Sequence, residues 1–285
     1  MRIRRPAVAG LFYEASRDRL LKQLEEAFTH PLGPGSKPPK PGEYTGRVLG
    51  IVAPHAGYMY SGHVAAHGYV ELARGGAPDA VILVGPNHHG MGMPVAASEA
   101  DAWETPLGSV EVDKDLAKRL VEWSGVLAFD EEAHKYEHSL EVQLPFLQYV
   151  FGEGFKIVPI SMYLQNPEVS RKLGAAIARA FEELGVKAYV VASSDFTHYE
   201  EARRAREKDE AAIDMILKLD EGGLYDVIVE RDITVCGYGA IMALIAAARR
   251  LGAEARLLKY ANSGDVTGDY SSVVGYASIV FYRKR

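Results

Sequence analysis

The chain has 285 residues, 48% of them hydrophobic, with a net charge of −6 and a single cysteine, Cys236. It is long enough to bury a large core as one α/β domain spanning residues 1–285, too acidic for a general nucleic-acid binder, and without the cysteines of a disulfide framework. The basic start Met1-Arg2-Ile3-Arg4-Arg5 leads into an apolar stretch too short for a signal-peptide core, and no run approaches the roughly 18 apolar residues of a membrane span, so the sequence reads as soluble and cytoplasmic, with neither nucleic acid nor membrane as a partner.

Helix and strand patterns alternate along the chain. Ser16 to Phe28 carries Leu20, Leu21, Leu24 and Phe28 at helical spacing behind a Ser16 N-cap. His30 to Glu43 holds five prolines and three glycines and reads as a surface loop. Arg47 to Ala53 is a strand of the kind buried on both faces, Ser61 to Arg74 a helix, and Asp79 to Gly85 a second buried strand. Met91 to Val112 is a loop and hairpin region, with Thr105-Pro106-Leu107-Gly108 as its turn. Helices are expected at Asp113 to Trp123 and at His138 to Phe151, the latter kinked or interrupted by Pro145. After a strand at Phe155 to Ile160 and a helix at Glu168 to Leu184, Val186 to Ala192 gives a third buried strand. Helices at Glu200 to Leu219 and Tyr238 to Leu251 follow, then apolar runs at Ala255 to Tyr260 and Val273 to Phe281.

Each buried strand runs straight into reactive side chains. The first ends in Pro54-His55-Ala56-Gly57-Tyr58, the second in Pro86-Asn87-His88-His89, and the third in Ser193-Ser194-Asp195-Phe196-Thr197-His198. In an open α/β sheet, residues just beyond the carboxyl ends of neighbouring strands meet in one crevice, which makes His55, His88, Asp195 and His198 candidates for a single site. His89 competes with His88, because adjacent side chains point in different directions. Tyr58 and Tyr60 either line that crevice or pack at the strand-to-helix turn. Glu137-His138-Ser139-Leu140-Glu141 opens an expected helix on which His138 and Glu141 share a face, either as site residues or as a capped first turn. Cys236, beside the start of an Ala/Leu/Ile-rich helix, suits a ligand or nucleophile, or a small core residue. Ser193-Ser194-Asp195 lacks the glycines of a nucleophile elbow, which ranks a serine hydrolase low.

These motifs, in this order and at about this spacing, resemble the Memo family, as does the opening Pro6-Ala7-Val8-Ala9-Gly10-Leu11-Phe12-Tyr13. The likeness runs from about residue 6 to the end. The chain looks like the prokaryotic branch called AmmeMemoRadiSam system protein B, which implies AMMECR-type and radical SAM proteins as partners. It also implies a three-layer α/β/α fold similar to the class III extradiol dioxygenases, with a central, mostly parallel or mixed sheet. By that resemblance His55 and His88 match metal-binding histidines and Cys236 the family's cysteine, standing where the dioxygenases have a carboxylate. His198 and His138 match pocket histidines that handle protons, with Asp195 and Glu141 behind the ligands.

A thiolate in place of a carboxylate shifts the preference toward softer metals, so the expected cofactor is a divalent metal, iron first, with zinc or copper as alternatives. The leading expectation is a non-haem, iron-like site serving redox or oxygen-dependent chemistry on a small substrate. Two other readings stand beside it. One is a non-catalytic binding or adaptor protein that uses the vestigial pocket for a peptide or metal, and the other is a hydrolase with Cys236 as nucleophile and a histidine base.

Overall fold

The computed structural model describes residues 2–284. In chain order the elements are β1 (Ile3–Arg4), α1 (Arg17–Thr29), β2 (Val48–Ala53), α2 (Tyr58–Gly75), β3 (Ala80–Pro86), β4 (Val95–Ala97), β5 (Ala102–Thr105), β6 (Gly108–Glu111), α3 (Lys114–Ser124) and β7 (Ala128–Phe129). There follow α4 (Leu144–Phe151), β8 (Lys156–Met162), α5 (Pro167–Arg179), β9 (Ala188–Ser193), β10 (His198–Glu200), α6 (Ala202–Leu217), α7 (Glu221–Arg231), α8 (Tyr238–Arg250), β11 (Ala253–Asn262), α9 (Gly264–Thr267) and β12 (Val273–Arg283).

The main sheet runs β11-β12-β2-β9-β3-β8-β4-β7, with β10 added beside the start of β12. Its centre, β2-β9-β3-β8, is parallel, and β12 and β4 flank it antiparallel. Of these, β2, β9 and β3 are Val/Ile/Leu-rich runs with no exposed residue, as strands covered on both faces must be. Successive residues of β3 feed two different cores. Ile82 and Val84 pack with α3, α5, α6, α7 and α8, whereas Val81 and Leu83 pack with α1, α2 and α4. The protein is therefore an α/β structure with a large mixed, mostly parallel sheet between two helical layers. No helix among the described residues is long and apolar enough to cross a membrane.

Beyond short elements such as β1, β7, β10 and α9, two helical regions depart from the sequence expectation. His138 to Leu140 is not helical: a short 3₁₀ turn at Glu141–Gln143 precedes α4, which begins at Leu144 with Pro145 in its first turn. A proline there needs no N–H partner and starts a helix instead of kinking one. Helix α7 was not expected, because Gly222 and Gly223 depress helix propensity at its start; the Asp220 side chain accepts the Gly223 N–H at 2.9 Å and caps it.

The register explains the site's position. Ala53 of β2 lies opposite Ser193 of β9, and Val84 of β3 opposite Ala192. The segments beginning at Pro54, Asn87 and Ser194 therefore leave the sheet side by side.

Candidate metal centre

His55, His88 and Cys236 each offer one donor atom, all within 4.8 Å of one another. His55 is 2% exposed, and its Nε2 lies 3.2 Å from Cys236 Sγ. Cys236 arrives from the turn before α8. Its N–H donates to Asp195 O and its sulfur accepts the Asp195 N–H at 3.2 Å, so one residue of the β9 exit grips both ends of the cysteine. Gln165 fastens the same turn, donating to Cys236 O and accepting the Gly239 N–H. Gly237 permits the approach, because a Cβ there would meet Ser193 O at 2.3 Å.

Hydrogen bonding fixes the histidine tautomers. Gln143 Nε2 donates to Pro54 O and to Ser193 Oγ, and the Ser193 hydroxyl donates to Ser139 O. With its one proton spent on a carbonyl, Ser193 Oγ must accept from His55 Nδ1, 2.9 Å away. That leaves the Nε2 lone pair turned to the cysteine. His88 reaches the same tautomer differently: its Nδ1 donates to Glu137 Oε1 at 2.9 Å, and its backbone N–H to Glu137 Oε2. A carboxylate behind a ligating imidazole orients the ring and raises its basicity. His89 faces Tyr136 instead, so of the two adjacent histidines His88 stands with the other donors.

Burial shapes the charges. It pushes the His55 imidazole well below its ordinary value, with the charges of His138 and His88 adding to the effect. Burial, with the Asp195 charge behind it, pushes the Cys236 thiol up. It also raises the Asp195 carboxyl to about 6, against the pull of the His55 N–H, and lowers His138 to about 4. Glu137 is the exception: burial raises it, but the His88 hydrogen bond, the His88 and His138 charges and the Ser139 N–H together hold it below the ordinary carboxylate range. The site thus pairs a neutral His55 imidazole with a protonated Cys236 thiol whose sulfur faces the His55 Nε2 lone pair. An ion bound there would replace that proton, since a thiol ligates as thiolate. The donor set fits an ion that accepts nitrogen and sulfur and leaves room for a further ligand.

His138 stacks on His88 with ring centroids 4.6 Å apart. His198 gives its Nδ1–H to Thr234 O at 2.9 Å, which leaves Nε2 as an acceptor. Both line a cavity of about 690 Å³ that opens over His55 and His88 and includes Asp195 and Tyr60. Tyr58 lies outside it, buried, with its hydroxyl on Val142 O.

Glu141 lies elsewhere. Fully buried, it accepts the Arg4 guanidinium, the Ala7 and Val8 N–H groups and the Tyr13 hydroxyl, and does not line the cavity. The expectation that His138 and Glu141 share a helical face fails with the helix. Glu137, which sequence reading passed over, is the carboxylate on His88. Its signal was its place one residue before His138, hidden by the assumption that the helix begins there. The clamp on Glu141 has a consequence at the site even so, since it holds the segment from which Phe12 packs on the His138 ring, centroids 4.5 Å apart.

A mixed, mostly parallel α/β sheet with a His/His/Cys cluster at its carboxyl edge defines the class: an α/β protein with a candidate non-haem metal site. The chain belongs to the Memo family, since the pattern of the Memo-like proteins matches residues 4–280. It is 55% identical to a MEMO1 family protein of Pyrobaculum aerophilum, over 99% of this chain and all of that one, and 50% identical to one of Methanopyrus kandleri, over 98% and 99%. Among solved structures, a protein of Escherichia coli K12 described as uncharacterised superposes with a TM-score of 0.57 at 14% identity, covering 82% of this chain and 99% of that one. At that identity the likeness concerns the fold alone.

Proposed function

We propose that the protein binds iron at His55, His88 and Cys236 and carries out redox or oxygen-dependent chemistry on a small substrate admitted through the adjoining cavity, beside AMMECR-type and radical SAM partners. The observation that carries this reading is the convergence of three donors, two of them imidazoles whose Nε2 lone pairs are fixed toward the third by Ser193 and Glu137. Bound there, the metal supplies electron transfer and Lewis acidity. The chain's own residues do the rest. His198, with Nδ1 anchored on a carbonyl, accepts a proton at Nε2, while Phe12 and His138 form the wall of the cavity beside His55 and His88. A hydrolase with Cys236 as nucleophile is disfavoured, because burial keeps the thiol protonated.

Elemental analysis of protein purified without oxygen tests the proposal and separates iron from zinc and copper. Cys236→Ser should lose most of the bound metal, whereas Ser194→Ala, which leaves all three donors in place, should retain it. Equal occupancy in the two variants overturns the assignment. Metal retention without any turnover of oxygen would instead favour the adaptor reading, with the cavity as a peptide or metal pocket.

A further inference from the structure

Apart from its histidines, the charged groups lining the cavity are acidic. Among the described residues no lysine or arginine lines it, while Asp195 stands at its inner end and Asp269 is a further lining residue. Tyr60, Tyr199 and Tyr276 are the other polar aromatic groups of its wall. Tyr276 is 1% exposed, yet its hydroxyl has no hydrogen-bond partner among the described residues; its neighbours there are Asp195, Tyr60 and Tyr199. A phenol whose hydroxyl opens on the cavity with no protein partner is free to hydrogen-bond what enters it. Tyr199, 78% exposed, takes a left-handed backbone (φ 60°) directly after His198, a conformation bulky residues seldom adopt.

Asp269 is prepared for a cation. Its Oδ1 accepts both the Ser271 N–H at 2.9 Å and the Ser271 hydroxyl at 2.6 Å, bonds that hold the carboxyl below its ordinary value. Oδ2 is left without a protein partner. Away from the histidines, the carboxylate of Asp269 and the π-electron-rich tyrosine rings, with no lysine or arginine among the lining, favour an ammonium group.

We propose that this cavity binds a small amine, its ammonium group held by Asp269 and the tyrosine rings, and its apolar body lying against Phe12 and His138. The proposal rests on the cavity being the entrance to the metal donors, but its recognition step needs no metal. The test uses isothermal titration of the metal-loaded full-length chain with three probes of similar shape: phenethylamine, 2-phenylethanol and 3-phenylpropionate. Phenethylamine should bind about tenfold more tightly than the alcohol, a margin of one or two cation–π contacts. The preference should vanish in Asp269→Asn, an exposed position where folding is not at stake, and weaken in Tyr276→Phe. In metal-free Cys236→Ser the amine preference should persist, which separates this inference from the metal assignment. A Cys236→Ser chain that binds 3-phenylpropionate as tightly as phenethylamine, or an Asp269→Asn chain that keeps the full preference, overturns the proposal.

Discussion

Glu137 and Glu141 stand four residues apart and are equally enclosed, 1% and 0% exposed, yet one serves the candidate centre and the other the scaffold. Glu137 receives an imidazole and three backbone N–H groups. Glu141 receives a guanidinium, a phenol and two N–H groups from the first thirteen residues. Burial alone does not tell a functional carboxylate from a structural one; the partner does. Arg4 ties the two together, because its guanidinium also donates to the carbonyls of His134 and Glu137 while lying 4.5 Å from the centre of the Trp103 ring.

The comparison breaks most sharply on Glu141→Ala. That change strands a buried Arg4 charge and should cost about 3–5 kcal/mol in urea unfolding, with the metal content of the remaining folded protein unchanged. Loss of metal in proportion to Glu137 variants would erase the distinction. Acid should act on the same structural side. His134 is wholly buried, and burial holds its imidazole down to about 4 from an ordinary 6.5, with Arg4 adding to the effect. The unfolded chain takes up that proton below pH 6.5 and the folded chain only near 4, so stability contributed above pH 6.5 is lost as the pH falls through this window, by about 3 kcal/mol in all. Urea midpoints at pH 7 and pH 4.5 measure it, and His134→Phe should shrink the difference by its own share while His55, His63 and His138, lowered likewise, keep the rest.

On the functional side, Glu137→Gln keeps the shape but removes the charge behind His88. Metal affinity should fall about 10- to 100-fold, read by competition with a chelator, while the urea midpoint moves less than in Glu141→Ala. Ser193→Ala is the gentlest probe. It removes the acceptor that sets the His55 tautomer and should cost about 0.5–1.5 kcal/mol, seen as a few-fold weaker metal binding. No change in either variant would mean that the imidazoles need no orienting partner.

The sheet and the strand exits were legible because Val48–Ala53, Ala80–Pro86 and Ala188–Ser193 are apolar runs that end in polar clusters, a pattern that periodicity and the carboxyl-edge rule read directly. His55, His88, Asp195 and His198 followed from it. The choice between Glu137 and Glu141 did not, since it depends on a 3₁₀ turn and on an N-terminal segment more than 130 residues away in sequence. Tyr276 and Asp269 were equally silent. They come from β12 and the loop before it, whose place beside the centre is set by β12 entering the sheet between β11 and β2.

The position of β12 carries a consequence for the life of the chain. His55 and Cys236 are 181 residues apart, and Phe12 and Tyr276, from the segment before α1 and from β12, lie farther apart still. Contacts of such long range form only after their loop-closure entropy has been met. Donors and cavity walls therefore come together only once β12 has joined the sheet, so any ion taken up at His55, His88 and Cys236 would be enclosed only after that step.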